Sequence, residues 1–149
     1  MAADVIQSVG TQVYVSAAEP ATYNSAGFGA LSWTEVGEVE SLGEYGGSAQ
    51  ISQFIPLATG TVKKRKGSLD YGTASMVIGK TTDSGLAAMK SGFDGANKDV
   101  IHSFKIVESD ASIGYFTAVV ASYVYSLGDA NTITRINCNV DLTNKVVEA

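Results

Sequence analysis

Residues 132–142 read TITRINCNVDL, and apolar and polar side chains alternate through the run. A period of two puts Thr134, Ile136, Cys138, Val140 and Leu142 on one face and Arg135, Asn137, Asn139 and Asp141 on the other. Such a strand has one face for a core and one for solvent or a partner, the pattern of an antiparallel sheet covered on one side. It recurs along the chain. Residues 11–18 (TQVYVSAA) set Val13 and Val15 against Gln12, Tyr14 and Ser16. Residues 68–80 set Asp70, Gly72, Ala74, Met76 and Ile78 against Leu69, Tyr71, Thr73, Ser75 and Val77. Residues 32–42 (SWTEVGEVESL) are strand-like, but Val36 and Val39 stand three apart, so a β-bulge at Gly37 is expected. Residues 100–108 and 114–127 extend a meander through turns at 109–113 and 128–131.

One helix is expected, over residues 82–92. Thr82 or Asp83 supplies the N-cap, Gly92 the left-handed end, and Leu86, Met89 and Phe93 a narrow apolar stripe. Residues 19–30, rich in Asn, Gly, Ser and Pro, read as a loop. The fold expected is mainly β: an antiparallel β-sandwich or barrel with one flanking α-helix and a long extended loop. At 149 residues the chain reads as a single domain, with residues 1–10 as an N-terminal arm and 143–149 as a C-terminal tail.

That loop, residues 43–67, is too long for an ordinary connection in a small domain. It is largely polar, yet it carries Tyr45, Ile51, Phe54, Ile55 and Leu57, which a solvated linker does not need. It reads as a loop or open hairpin whose partner lies on another molecule. Its end holds Lys63, Lys64, Arg65 and Lys66, four of the ten basic residues. Glu35, Glu38, Glu40 and Glu44 precede it as a complementary acidic stripe. Loop and stripe are held apart in one chain, so identical copies joined head to tail would pair them.

Composition agrees with a covered surface. Charged residues make up 17%, against about 25% in ordinary globular chains. The net charge of −5 argues against a nucleic-acid grip, which needs a basic stripe. A single cysteine excludes an internal disulfide and suits a reducing compartment. The opening MAADVIQSVG has no basic region followed by an apolar run, so no secretory leader is expected. No apolar stretch approaches the roughly 20 residues of a membrane helix.

Catalytic chemistry finds little support, and no enzyme is expected. His102, the only histidine, shares a strand face with Val100, Phe104 and Ile106 and reads as a packed residue. Cys138 lies on an inward face. Asp94, Asn97 and Asp99 resemble part of a calcium loop, but Lys105 stands where the closing glutamate belongs. GTVKKRKGS lacks the order of a phosphate loop. No catalytic residue, metal or cofactor is expected.

Taken in order, these elements resemble a phage tail tube protein of the lambda-like kind. The similarity runs through GTQVYV, SWTEVGEVESL, the long loop, GSLDYGTASMVIG, DSGLAAMKSGF, VIHSFKIV and TITRINCNVDL, from Gly10 to Leu142. The lambda protein continues into an immunoglobulin-like domain that this sequence lacks, so the resemblance covers the tube domain alone. It implies a homohexameric ring, stacked into a non-contractile tube in a virion tail assembled in the host cytoplasm. DNA would pass without specific binding. The other implied partners are a tail tip or initiator, a tape measure and a tail terminator, with no membrane. The loop residues named above, with Glu38, Glu40 and Glu44, would join subunits or rings. Arg135, Asn137, Asn139 and Asp141 are lumen candidates, with Arg135 pairing to Asp141 or to a neighbour's acid. Two alternatives stand beside this reading: a soluble β-sandwich binding module, and the inner tube of a contractile tail or secretion system.

Overall fold

Residues 5–149 are described by a computed structural model; the first four residues of the expected N-terminal arm lie outside the described residues. In chain order the elements are β1 (Gln12–Ser16), α1 (Ser25–Gly29), β2 (Thr34–Val36), β3 (Val39–Ser41), β4 (Ser48–Phe54), β5 (Lys63–Asp70), β6 (Thr73–Gly79), α2 (Ser84–Asp94), β7 (His102–Val107), β8 (Ile113–Ser126), β9 (Arg135–Leu142) and β10 (Val147–Glu148). The main sheet runs β2-β1-β7-β8-β9-β6-β3, every pair antiparallel, and β10 also pairs with β8. The second sheet is the β4–β5 hairpin.

The ends of the main sheet are neighbours in sequence. Only Gly37 and Glu38 separate β2 from β3, so the Val36 and Val39 Cα atoms lie within about 11 Å. The sheet therefore curls until its two edge strands approach at this crossing, and the result is a β-sandwich or open barrel. The bulge expected at Gly37 is instead a break: Val36 pairs with Val13 of β1, whereas Val39 pairs with Ile78 of β6. Glu38 turns the chain in a left-handed conformation, φ +58°. Asp83 holds the crossing: its Oδ2 accepts the Gly37 N–H at 2.9 Å while its Oδ1 accepts the Gly85 N–H at 2.7 Å to cap α2.

Alternation places the core where the sequence put it. Val13, Val15, Ala74, Met76, Ile78, Ile136, Cys138 and Val140 are all buried. Phe104 of β7 and Phe116 of β8 stack at 5.4 Å in the centre. Removing each large side chain from water contributes about 1.5–3 kcal/mol. β8 serves both layers: Ile113 to Ala118 pair with β7, and Ala118 to Ser126 pair with β9, with a register shift after Val120.

Three further expectations are corrected. Residues 68–80 form two strands, because a turn at Tyr71–Gly72 (Gly72 φ +77°) ends the hairpin and starts β6. The loop at 19–30 contains α1, capped by Asn24, whose Oδ1 accepts the Gly27 N–H at 2.8 Å. Phe28 of α1 stacks on Tyr115 at 5.0 Å. Lastly, Gly92 does not end α2, which runs to Asp94 with Gly95 as its C-cap. The buried face is Gly85, Leu86, Met89 and Gly92, and Phe93 is exposed. The helix packs on β8, β2 and β1, and large side chains at 85 and 92 would hold it off the barrel.

Candidate assembly surface

The β4–β5 hairpin leaves the barrel between β3 and β6, and its strands pair with each other and with no strand of the main sheet. Its open-hairpin form is seen from Ser48 to Asp70, beyond the expected end at Gly67. Ile51 faces Lys66, Ser52 faces Arg65, Gln53 faces Lys64 and Phe54 faces Lys63, with a bulge between Ala49 and Ile51. All of β5 is exposed, and so are Ile51, Phe54, Ile55, Leu57, Val62 and Leu69. Phe54 stands 69% exposed in a chain that buries its core phenylalanines completely. A two-stranded ribbon without a covering layer is marginal in water, and this one leaves its large apolar side chains exposed.

Its charges are equally unmatched. Among the described residues no acid lies within ion-pair distance of Lys63, Lys64, Arg65 or Lys66. Elsewhere four of the other six cations, Lys80, Lys90, Lys105 and Arg135, are engaged. Lys80, Lys90 and Lys105 lie over the rings of Tyr125, Tyr123 and Tyr14, at 4.3 to 5.4 Å. Lys90 also pairs with Asp94 at 3.6 Å.

The expected acidic stripe is divided. Glu35 is exposed on β2, Glu38 occupies the crossing, and Glu40 pairs with Arg135. Within the chain Arg135 bonds to Glu40 and not to Asp141, because β3 runs beside β6 and brings Glu40 to the same outer face. Its guanidinium is held further towards the charged form by the bond to Glu40 and by that carboxylate's charge. Glu44 instead lines a cleft of about 780 Å³ with Tyr45, Glu108 and Glu148. Tyr45 is half-buried, its ring 5.4 Å from Phe116, and burial together with Glu108 and Glu148 pushes its hydroxyl pKa up. An adjoining groove of about 510 Å³ shares Tyr45 and Glu108 and is floored by Val13, Val39, Leu42 and Ile106.

The outer face of β6, β9 and β8 is largely polar, with Val77, Val119 and Val124 set among its polar side chains. Its rows are Thr73–Asp141–Val119, Ser75–Asn139–Ser122, Val77–Asn137–Val124 and Gly79–Arg135–Ser126. The Thr73 hydroxyl donates to Asp141. The only cation in these rows is Arg135, already neutralised by Glu40. Such a wall carries small side chains and offers phosphate no free positive group.

Glu108, Glu148 and the strand character of residues 63–67 were not found by reading the sequence, although Lys63, Lys64, Arg65 and Lys66 were. β5 lacks a period-two signal because both its faces are exposed, and the acids meet only through pairing of β7, β8 and β10. Other chemistry is sparse. His102 is fully buried, with Nδ1 2.9 Å from the Val100 carbonyl and Nε2 without a partner. Burial pushes the Cys138 thiol up to about 12. No group of three metal-ligating side chains assembles among the described residues.

No protein-family model matches the chain, and no curated protein sequence is significantly similar to it. Solved structures do resemble it. A chain of the anti-feeding prophage baseplate superposes with a TM-score of 0.65 at 8% identity, covering 100% of this chain and 97% of that one. The SPP1 tail tube gives 0.62 at 14% identity over 97% of this chain and 78% of the other. A chain of the gene transfer agent virion gives 0.57 at 15%, over 78% and 88%. The chain thus shares one fold, a tail tube-like β-barrel, with proteins of tails and baseplates.

Proposed function

We propose that this chain is the major tail tube protein of a long phage tail, assembling as homohexameric rings that stack into the conduit for DNA. The observation that carries the proposal is the exposed hairpin, apolar and basic at once, projecting from a barrel whose core phenylalanines are completely buried. A free monomer gains nothing from such a ribbon, whereas a repeated contact between copies buries it at every step. The SPP1 tail tube, alike over 97% of this chain, supports the reading.

The outer lattice of β6, β9 and β8 supplies the lumen wall. Asn137 and Asn139 present neutral polar groups, and Asp141 adds negative charge. A wall rich in free Lys or Arg would hold DNA through many salt-dependent phosphate contacts, whereas this one lets it slide. The role is structural, with no catalytic step assigned to any residue. The other partners are a tip or initiator complex, a tape measure within the lumen and a terminator that caps the tube. Electron microscopy of particles containing the protein tests the reading: hexameric discs stacked along the tail are expected, and particles whose tails lack this chain would refute it.

The second reading is the inner tube or baseplate ring of a contractile system. The likeness to the anti-feeding prophage baseplate chain, over the whole of this chain, favours it. An outer sheath around the tube in the same micrographs separates the two.

A further inference from the structure

The hairpin and the acidic cleft are complementary in two independent ways. Residues 48–70 carry four basic residues and one acid, a formal charge of +3 on a chain whose total is −5, which leaves −8 on the body. The hairpin's apolar side chains, Phe54, Ile55, Leu57 and Val62, are exposed. The groove beside the cleft offers an apolar floor of Val13, Val39, Leu42 and Ile106, and Glu44, Glu108 and Glu148 stand at its rim and in the adjoining cleft. Within one chain these charges are not within ion-pair distance.

Resting on the self-assembly reading, we propose that the β4–β5 hairpin of one copy docks in the Glu44–Glu108–Glu148 cleft of a second copy, its basic strand against the acids and its apolar tip in the adjoining groove. The contact is heterologous, so each copy offers both a hairpin and a cleft and the contact repeats from copy to copy. Apolar burial supplies the attraction, and the charges fix register and reject the inverted arrangement. Burial, and after it the charges of Glu108 and Glu148, push the Tyr45 hydroxyl pKa up, in keeping with a negative field in the cleft.

Two arms test this. Reversing Lys63, Lys64, Arg65 and Lys66 to Glu should abolish tubes, as should Glu44→Lys with Glu108→Lys and Glu148→Lys; mixing the two variants should restore assembly. Thermal unfolding of each variant separates lost docking from lost folding. In the second arm a Lys64→Cys chain is mixed with a Glu108→Cys chain under mild oxidation. Covalent heterodimers within tubes are expected, since Cys138 is buried. Tubes that form without that cross-link, or that survive cleft reversal, overturn the docking but leave tube assembly standing. Failure of the unaltered protein to enter any tube or virion tail overturns both.

Discussion

Gly92 of α2 rests against the imidazole of His102: a β-carbon there would stand 2.8 Å from the ring Cε1 and 3.1 Å from a Val120 methyl. The helix lies that close because residue 92 has no side chain. His102 is fully buried and held by the Val100 carbonyl, so it has little room to yield. Gly92→Val should cost about 1–3 kcal/mol through overpacking. Urea unfolding should show a lower midpoint with an unchanged slope; an equal midpoint would mean the helix shifts freely.

Asp83 offers a sharper test because its two oxygens do different work. Asp83→Asn keeps the cap on Gly85 but replaces the acceptor for Gly37 with a donor. Asp83→Ala loses both. Cap losses run about 0.5–2 kcal/mol, so Ala should destabilise more than Asn. Equal losses would show that only the cap matters and that the β2–β3 crossing needs no anchor.

Excising the hairpin should leave the barrel intact. Ser48 and Asp70 are paired neighbours, so a two-residue turn can join Gly47 to Tyr71. The shortened chain should keep its circular dichroism spectrum and stay monomeric at concentrations where the full chain assembles. Tubes of normal length from the shortened chain would remove the hairpin from the assembly mechanism.

Cys138 should resist alkylation in the folded protein and react at once in denaturant. The sign of its pH effect follows from the upward shift. Below the ordinary thiol value of 9.0 both states keep the proton. Between 9.0 and about 12 only the unfolded chain ionises, so stability falls as pH rises through that window. A Cys138→Ser variant, titrated in parallel by thermal melts, should lack that alkaline slope. Identical slopes would assign it to other groups.

Positive charge placed at Asn137 and Asn139 should slow DNA release from particles carrying the altered tube, and added salt should relieve the delay. Release at the normal rate in low salt would take this face off the lumen.

The alternating residues 132–142 and 73–79 determined by themselves which side chains enter the core, because one pleat direction per residue leaves no other choice. The same local logic located α2 and narrowed its cap to Thr82 or Asp83, and it marked residues 43–67 as more than a linker, although Tyr45 packs against Phe116. Tertiary structure decided the rest. It alone joined β2 and β3 across Gly37, since a two-residue break and a bulge look alike along the chain. It alone extended α2 past Gly92, because close approach to His102, and not helix termination, is what that glycine serves. It also drew Glu40 to Arg135 and gathered Glu44, Glu108 and Glu148 into one cleft. Those partners are 95 residues apart in the first case and 104 in the span of the second, distances over which only strand pairing carries information.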